Sequence, residues 1–392
     1  MQRLVPLAVG LRPFFLLAGL DAIFTMVVWL LAYFHPDIWP SNAVPAMYWH
    51  GHEMLFGFVS AAIGGFLLTA VPGWTGSKSY AGWPLGILVA IWLAGRMALL
   101  PWLALRPIAE AIIDLMFFPA LVATLAPPLI RARKVRNMPF IALLTLLFAA
   151  NLAFHLGQLG MLDNGEMISL GATLDIVIIM ITVIGGRIIP AFTRSGLARN
   201  GISIEIKPRE WLDIAAIGAV VAVLAGDLIV PQSLLNGVVA LVAALVQATR
   251  LAQWNGHRTL RDPLVWVLHA GYAWLVIGLA LKGLWLIAAI PFAEKWLHAL
   301  TIGAFGTMIL AFMTRASLGH TGRTLIAPAP VAGAYILVSL AAAIRVFGPA
   351  ILPSNYAVVV ISAGTCWIAA FMIFLLIYTP MLMRARVDAK PG

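Results

Sequence analysis

The sequence predicts an all-α, polytopic membrane protein with twelve transmembrane helices, and two observations carry that prediction. Hydrophobic residues make up 62% of the 392 residues, charged residues only 10%, and the mean hydropathy is +0.99. No soluble domain of this length has such a balance. Apolar runs of about 20 residues, the length that spans a bilayer, also recur along the whole chain. The one cysteine, Cys366, excludes an internal disulfide and a thiolate metal cluster.

The apolar runs define the predicted helices. These are residues 14–34, 49–72, 84–101, 109–130, 139–158, 167–189, 211–230, 233–252, 263–286, 296–316, 328–348 and 357–381. The first run is long enough to span and lacks a small-residue cleavage pattern, so it is predicted to be a helix and not a signal peptide. The connections are short, and the longest inner one, 189–210, is basic. Residues 1–392 are therefore predicted to form a single integral-membrane domain.

The distribution of Lys and Arg fixes the predicted orientation. With both termini cytoplasmic, twenty of the 25 Lys and Arg residues fall on the inner side and five on the outer side. This asymmetry follows the positive-inside rule. The net charge of +10 is explained by topology, and no nucleic-acid partner is predicted. The lipid bilayer is the expected environment of the chain.

An internal repeat links the second predicted helix to the tenth. Residues 52–76 align without a gap on residues 298–322, an offset of 246 positions. His52 then matches His298, Gly57 matches Gly303, and the closing Thr-Gly matches at Gly76 and Gly322. Apolar composition does not supply a matched histidine or a matched Gly-x-Thr-Gly exit. We interpret this similarity as a repeat.

A weaker similarity to this repeat lies at the inner end of the sixth predicted helix. The letters FTR at 192–194 resemble MTR at 313–315, and Gly201 falls where Gly322 does. Helices two, six and ten are four apart, which predicts three four-helix units around a pseudo-threefold axis.

His52 and His298 are the candidate haem ligands. Helices two and ten are both predicted to run inward, so the two histidines begin their helices at the same outer depth. Two neutral imidazoles on parallel helices are the arrangement that bis-histidine haem requires. The alternative is a pair of interfacial histidines that cap the helix starts. Their position in the repeat favours haem ligation, because ionisable groups inside membrane helices are often functional.

His50 and Glu53 flank His52. A spacing of two residues points His50 away from His52 on a helix, so the two side chains are not expected to serve one haem. His50 is a candidate ligand for a second metal, with helix capping as the alternative. Glu53 is a candidate hydrogen-bond acceptor or proton carrier beside the ligands.

Two further histidines are candidate metal ligands. His155 ends the fifth predicted helix on the outer side, with Asn151 one turn earlier on the same face. Its predicted depth allows it to join His50 or His298. His269 lies near the inner end of the ninth helix, so it belongs either to a separate site or to a helix-packing hydrogen bond.

Buried charges supply the remaining candidates. Arg96, near the outer end of the third helix, is a candidate partner for a haem propionate. Asp114 is the alternative partner of Arg96, which would make a plain salt bridge. Asp175 lies near mid-membrane and indicates a proton path or an interhelical hydrogen bond.

Several long motifs resemble the NnrS family: RPFFLLAGL, WHGHEMLFGF, GFLLTAVPGWTG, GGRIIPAFTR and HALTIGAFGTMILAFMTRASLGHTGR. That family comprises haem- and copper-containing bacterial inner-membrane proteins linked to denitrification and to resistance against nitric oxide. The resemblance therefore implies one or two haem b groups, possible copper, the bacterial inner membrane and a role in nitrosative stress. A covalent c-type haem is excluded, because the chain has no Cys-x-x-Cys-His.

The architecture also resembles the main subunit of haem–copper oxidases and nitric oxide reductases. In those proteins histidines on helices two and ten hold a low-spin haem. The sequence departs from them because predicted helices six and seven carry no histidine. A second metal centre would therefore need His50, His155 or His269.

Three classes of function fit the sequence. The first is a haem protein that binds or redox-converts nitric oxide near the outer, periplasmic side. A bis-histidine haem is closed to nitric oxide, so conversion would require a second haem or metal. The second class is a transporter of a metal or of a metal–nitrosyl complex. The third is a sensor or assembly factor, which the lack of a soluble output domain disfavours.

Overall fold

The computed structural model describes residues 5–103, 105–133, 135–199, 201–207 and 209–388, and all regular elements in those ranges are helical. Arg3, Lys134 and Lys390, which belong to the predicted inner-side charges, lie outside the described residues. The main helices are α1 (Leu11–Phe34), α2 (Ala46–Thr75), α3 (Trp83–Ala98), α4 (Pro107–Arg131), α5 (Pro139–Gln158), α6 (Gly165–Arg199), α7 (Glu210–Ile229), α8 (Leu234–Ala252), α9 (Pro263–Ala288), α10 (296–320), α11 (Ala329–Ile351) and α12 (Tyr356–Leu382).

Length and apolar composition make these helices membrane spans. Eleven helices in the described part of the chain are long and apolar enough to cross a bilayer, and α3 is a shorter apolar helix of 16 residues. The prediction of an all-α, multi-pass membrane protein is confirmed. The cytoplasmic location of both termini and the threefold arrangement stay predictions.

Helix α6 extends beyond its predicted end. The sequence predicted a stop at residue 189, but α6 continues through Pro190 to Arg199. Within this extension the hydroxyl of Thr193 donates to the carbonyl of Ile189 at 2.8 Å. Arg199 also pairs with Asp262 at 2.6 Å. The basic connection is therefore shorter than predicted, because half of it is helical.

The repeat reappears as a shared irregularity in α2 and α10. In α2 the α-helical turns end at His52, and a π-helical segment follows at Glu53–Val59. In α10 they end at His298, and a π-helical segment follows at Ala299–Gly306. Both helices then return to α geometry, at Ser60 and Thr307. Short π segments inside α-helices occur frequently at functional sites.

The exits of the three related helices share one backbone conformation. Gly76, Gly201 and Gly322 have φ angles of 72°, 73° and 75°. Left-handed φ values suit glycine and end helices in a tight cap. In α6 and α10 the amide of the following residue bonds back five positions, at 2.9 and 3.0 Å. The similarity seen in the sequence thus corresponds to helix ends with the same backbone conformation.

The described residues form two compact units. The first contains residues 5–173, 316–324 and 374–388, and α1 packs on α2 within it. The second contains residues 174–315 and 325–373, and there α9 packs on α8 and on the π segment of α10. The predicted single integral-membrane domain over 1–392 stays a prediction.

Candidate metal centre

Three helices of the first unit bring two histidines and a carboxylate together. His52 is the last α-helical residue of α2 before its π segment. Asp114 ends the first segment of α4, Pro107–Asp114, where the helix breaks before Phe117. His155 lies near the end of α5, one turn after Asn151. Each of these side chains therefore sits at or beside an interruption or end of its helix.

The three side chains form a compact, buried donor set. His52, Asp114 and His155 are 1%, 2% and 3% exposed, and one ligand atom of each lies within 4.8 Å of the others. Oδ2 of Asp114 is 3.0 Å from Nε2 of His155 and 3.4 Å from Nε2 of His52. Two imidazoles and one carboxylate are a donor set that holds first-row transition ions, ferrous iron in particular.

Neighbouring polar groups fix the orientation of the donors. Glu53 Oε1 lies 3.1 Å from Nδ1 of His52 and accepts a hydrogen bond from Arg96 Nη1 at 2.6 Å. The other terminal nitrogen of Arg96 pairs with Oδ1 of Asp114. Asn151 donates to Oδ2 of Asp114 at 2.7 Å. A carboxylate behind a ligating histidine and donors to a ligating carboxylate are the usual supports of a metal site.

Aromatic rings close the site against water. The ring of His52 lies 4.4 Å from the ring of Phe154 and 4.8 Å from that of Phe56, measured between centroids. Phe154 is 0% exposed and Phe56 is 2% exposed. A low-dielectric lining strengthens the interaction between an ion and its ligands.

The charges of the cluster favour a bound cation. Arg96 interacts with three carboxyl groups, those of Glu53, Asp114 and Asp21. Oδ2 of Asp21 is buried and has no hydrogen-bond partner among the described residues, so the neutral acid is the favoured form of this group. With neutral histidines, the carboxylates of Glu53 and Asp114 against one guanidinium leave one negative charge inside the helix bundle. A bound cation or one further proton would offset this charge.

The sequence model of the NnrS protein family matches residues 6–386. The chain belongs to the NnrS family. Membership supports a role in the nitric oxide response in general. A search of curated proteins found no match.

The structure places the predicted site residues of this NnrS chain in different surroundings. His155 is brought to His52. His50 stacks on Trp29 at 4.8 Å on another face of α2, as the two-residue spacing predicted. His298 is half-buried and lies in the second unit.

His269 makes a hydrogen bond between helices, which was one of the two roles predicted for it. Thr193 donates its hydroxyl hydrogen to Ile189, so its oxygen accepts from Nε2 of His269 at 2.9 Å. Arg96 likewise makes the salt bridge with Asp114 that was the alternative to a haem propionate. The predicted metal role of His269 and the predicted propionate contact of Arg96 stay predictions.

The sequence did not lead to Asp114 as a candidate ligand. Asp114 was predicted only as a partner for Arg96, although that pairing uses a single carboxylate oxygen and leaves the second oxygen for the histidines. The signal in the sequence was the predicted depth of these residues in the membrane. Asp114, Asn151 and His155 are all polar residues at the outer ends of consecutive predicted helices, and such residues are expected to meet.

A pocket of about 380 Å³, lined by apolar and polar side chains, lies near the candidate centre. Its lining includes Trp49, Glu110 and Gln158. These residues lie three or four positions from His52, Asp114 and His155, each toward the predicted outer end of its helix. The pocket is thus about one helical turn further out than the donor set.

Proposed function

We propose that this NnrS chain acts in the nitric oxide response by binding nitric oxide at a transition-metal ion held by His52, Asp114 and His155. The observation that carries the proposal is the convergence of the three buried ligand atoms within 4.8 Å. The donor set suits iron or copper. Three protein ligands leave a coordination position open, at which nitric oxide can bind.

The residues around the donors have separate tasks in this proposal. Arg96 ties the carboxylates of Glu53 and Asp114 together, so both keep their direction when the ion is exchanged. Glu53 holds the ring of His52, and Asn151 holds Oδ2 of Asp114. Preorganised ligands lose little freedom on binding an ion, which raises affinity.

Nitric oxide and a metal ion would reach the site by different routes. Nitric oxide is small and uncharged, so it reaches the buried position through the bilayer. A hydrated cation or a proton requires a polar route, and the pocket lined by Glu110 and Gln158, on the predicted outer side of the donors, is the proposed start of that route. The predicted orientation places this opening at the periplasmic face.

Haem b between His52 and His298 remains the second candidate for the cofactor. It is supported by the common change from α to π geometry directly after each histidine. Nε2 of His52, however, lies 2.9 Å from Oδ1 of Asn151 and 3.4 Å from Asp114. Haem ligation through this nitrogen requires both groups to move away, whereas a small ion binds among them.

Metal analysis combined with absorption spectra distinguishes the two cofactors. Wild-type protein purified from membranes is expected to contain about one transition ion per chain and to change its spectrum when nitric oxide is added. Asp114→Asn and His155→Ala should lose the ion and the response to nitric oxide. His269→Ala replaces another buried histidine and is the matched control, which should keep both.

Three outcomes decide against the proposal. Metal content that is equal in wild type and in both donor variants rules out the site. A haem spectrum that disappears in His52→Ala and His298→Ala but persists in Asp114→Asn establishes the bis-histidine haem instead. A nitric oxide response that survives loss of the ion places binding elsewhere.

Transport of a metal or a metal–nitrosyl complex is the alternative function. The internal repeat and a charged site between membrane helices are features that transporters share. Reconstituted vesicles separate the two functions. Transport predicts uptake of the ion into vesicles that Asp114→Asn abolishes, whereas a resident metal centre predicts a bound ion with no uptake.

A further inference from the structure

The second unit contains its own buried charged cluster, distinct from the candidate metal centre. Lys282 of α9 pairs with Asp227 of α7, and its ammonium lies 4.9 Å from the ring centroid of Trp296. Asn236 of α8 donates to Oδ1 of Asp227 at 2.6 Å. The Lys282 side chain is 1% exposed and that of Asp227 is 25% exposed. One carboxylate of the cluster therefore reaches the surface, while the lysine does not.

Asp175 of α6 is the buried member of this cluster. The residue is 1% exposed, and within the described ranges neither of its carboxylate oxygens has a hydrogen-bond partner. The charged groups that act on it are Lys282 and Asp227. An interhelical hydrogen bond, one of the two roles considered from the sequence, is available to Asp175 when a proton is shared with the carboxyl group of Asp227.

The charge count shows which group carries a proton. Lys282 and Asp227 neutralise each other as an ion pair. An ionised Asp175 would add an uncompensated negative charge inside the helix bundle, without a single hydrogen bond to stabilise it. Burying such a charge is so unfavourable that a carboxyl group becomes neutral instead. The cluster is balanced when Asp175 holds one proton.

We propose that Asp175 is a proton-binding site inside the membrane and that it exchanges its proton with solvent through Asp227. In the resting arrangement Asp175 is the carboxylic acid and Asp227 is the carboxylate paired with Lys282. In the exchanged arrangement the proton has moved to Asp227, and Lys282 pairs with the carboxylate of Asp175. Each state contains one ammonium, one carboxylate and one carboxylic acid, so the buried charge does not change during the transfer.

The position of Lys282 suits this exchange. The face of Trp296 attracts the ammonium and keeps it within the cluster. Lys282 acts on both carboxylates, as its ion pair with Asp227 and its charge interaction with Asp175 indicate. The partly exposed Asp227 lies close to the end of α7 and gives the proton a path to water. This inference does not depend on the metal centre, which involves none of these residues.

Dicyclohexylcarbodiimide is the probe, because this apolar reagent reacts with protonated carboxyl groups in apolar surroundings. The full-length protein in membrane vesicles is treated, and the modified residue is located by peptide mass spectrometry. Wild-type protein should be labelled at Asp175, and Asp175→Asn should lose that label. Asp163→Asn, which alters an exposed carboxylate, is the control and should be labelled as the wild type is.

Variants of the partners test the shared lysine. In Asp227→Asn, Lys282 has only Asp175 left to pair with, and Asp175 should become ionised. An opposite charge at about 4–6 Å shifts a carboxyl equilibrium by about 10- to 1,000-fold, so labelling at Asp175 should fall at least about tenfold. The double variant Asp227→Asn/Lys282→Gln should restore the label. In Lys282→Gln alone, Asp227 should become labelled in addition to Asp175.

These variants also provide the outcomes that overturn the proposal. The proposal is wrong if Asp175 is unlabelled in both the wild type and Lys282→Gln. It is also wrong if Asp227→Asn, eluting as a single species like the wild type, keeps full labelling at Asp175. Should Asp227→Asn fail to fold, the label gained at Asp227 in Lys282→Gln decides, and its absence counts against the proposal.

Discussion

The carboxylate of Asp114 is shared between Arg96 and His155. Its Oδ1 pairs with the guanidinium, and its Oδ2 lies 3.0 Å from Nε2 of the imidazole. This division assigns each oxygen a fixed direction, one toward α3 and one toward α5. A carboxylate held in this way offers the oxygen on the histidine side to a cation without needing to rotate.

Arg96 should be the most important single charge for stability of the first unit. Arg96→Gln leaves the carboxylates of Glu53 and Asp114 buried without their cation, and breaking a buried pair costs about 3–5 kcal/mol. We expect a clear drop in the thermal unfolding midpoint of the detergent-solubilised protein. Arg106→Gln, at an exposed arginine, should leave it unchanged. Equal midpoints for both variants would contradict the role of the Arg96 network.

Glu53→Gln should weaken metal binding while leaving the donor set in place. The neutral amide holds the ring of His52 less strongly and donates less electron density through it. Loss of such a supporting group reduces metal affinity by about 10–100-fold. Competition with a chelator of known affinity measures the change. Glu294→Gln, at an exposed residue, is the control, and identical affinities in the two variants would exclude a role for Glu53.

Gly57 should tolerate no side chain. An added Cβ would lie against Oδ2 of Asp21 and 3.3 Å from Cδ of Arg96. Gly57→Ala is therefore expected to destabilise the protein by about 1–3 kcal/mol. Gly73→Ala in the same helix is the matched control, because a Cβ there meets nothing within 4 Å. The two variants are compared by their thermal unfolding midpoints, and only the midpoint of Gly57→Ala should be lower than that of the wild type.

The orientation of the chain is open to a direct test with reporter fusions. Because twenty of 25 Lys and Arg residues fall on one side in the twelve-helix topology, both termini are expected in the cytoplasm. A green fluorescent protein fused to the C-terminus should fluoresce, and alkaline phosphatase at the same position should be inactive. Active phosphatase at the C-terminus would show that the orientation is the reverse of the predicted one. The pocket would then open on the cytoplasmic side.

The sequence was sufficient for the helices and for the repeat. Runs of about 20 apolar residues are strong signals, and the glycines at 76, 201 and 322 marked the helix ends where the backbone turns left-handed. The extension of α6 beyond Pro190 was not predicted, because proline and arginine favour a stop. Tertiary contacts of the extension act against that preference, since Thr193 bonds to His269 and Arg199 pairs with Asp262.

The candidate site could be predicted only in part. His52 and His155 were predicted as candidate ligands from chemistry and depth, but not as partners of each other. Partnership depends on how each helix is rotated about its axis, and a helix that is apolar on all sides carries little information about its rotation. The sequence also gave no sign of the π segments, since they differ from α-helix only in hydrogen-bond register.

The π segment of α2 sets the direction of His52 relative to the rest of its helix. Each residue turns an α-helix by about 100°, and a π segment takes up about one residue more than an α-helix in the same rotation. Restoring α geometry over Glu53–Val59 at unchanged length would therefore rotate His52 by about that angle relative to Ser60–Thr75. The same holds for His298 and the segment Ala299–Gly306. In both helices the direction of the histidine is thus set by the hydrogen-bond register of the segment that follows it, and a change of that register would turn the histidine away without shortening the hydrophobic span.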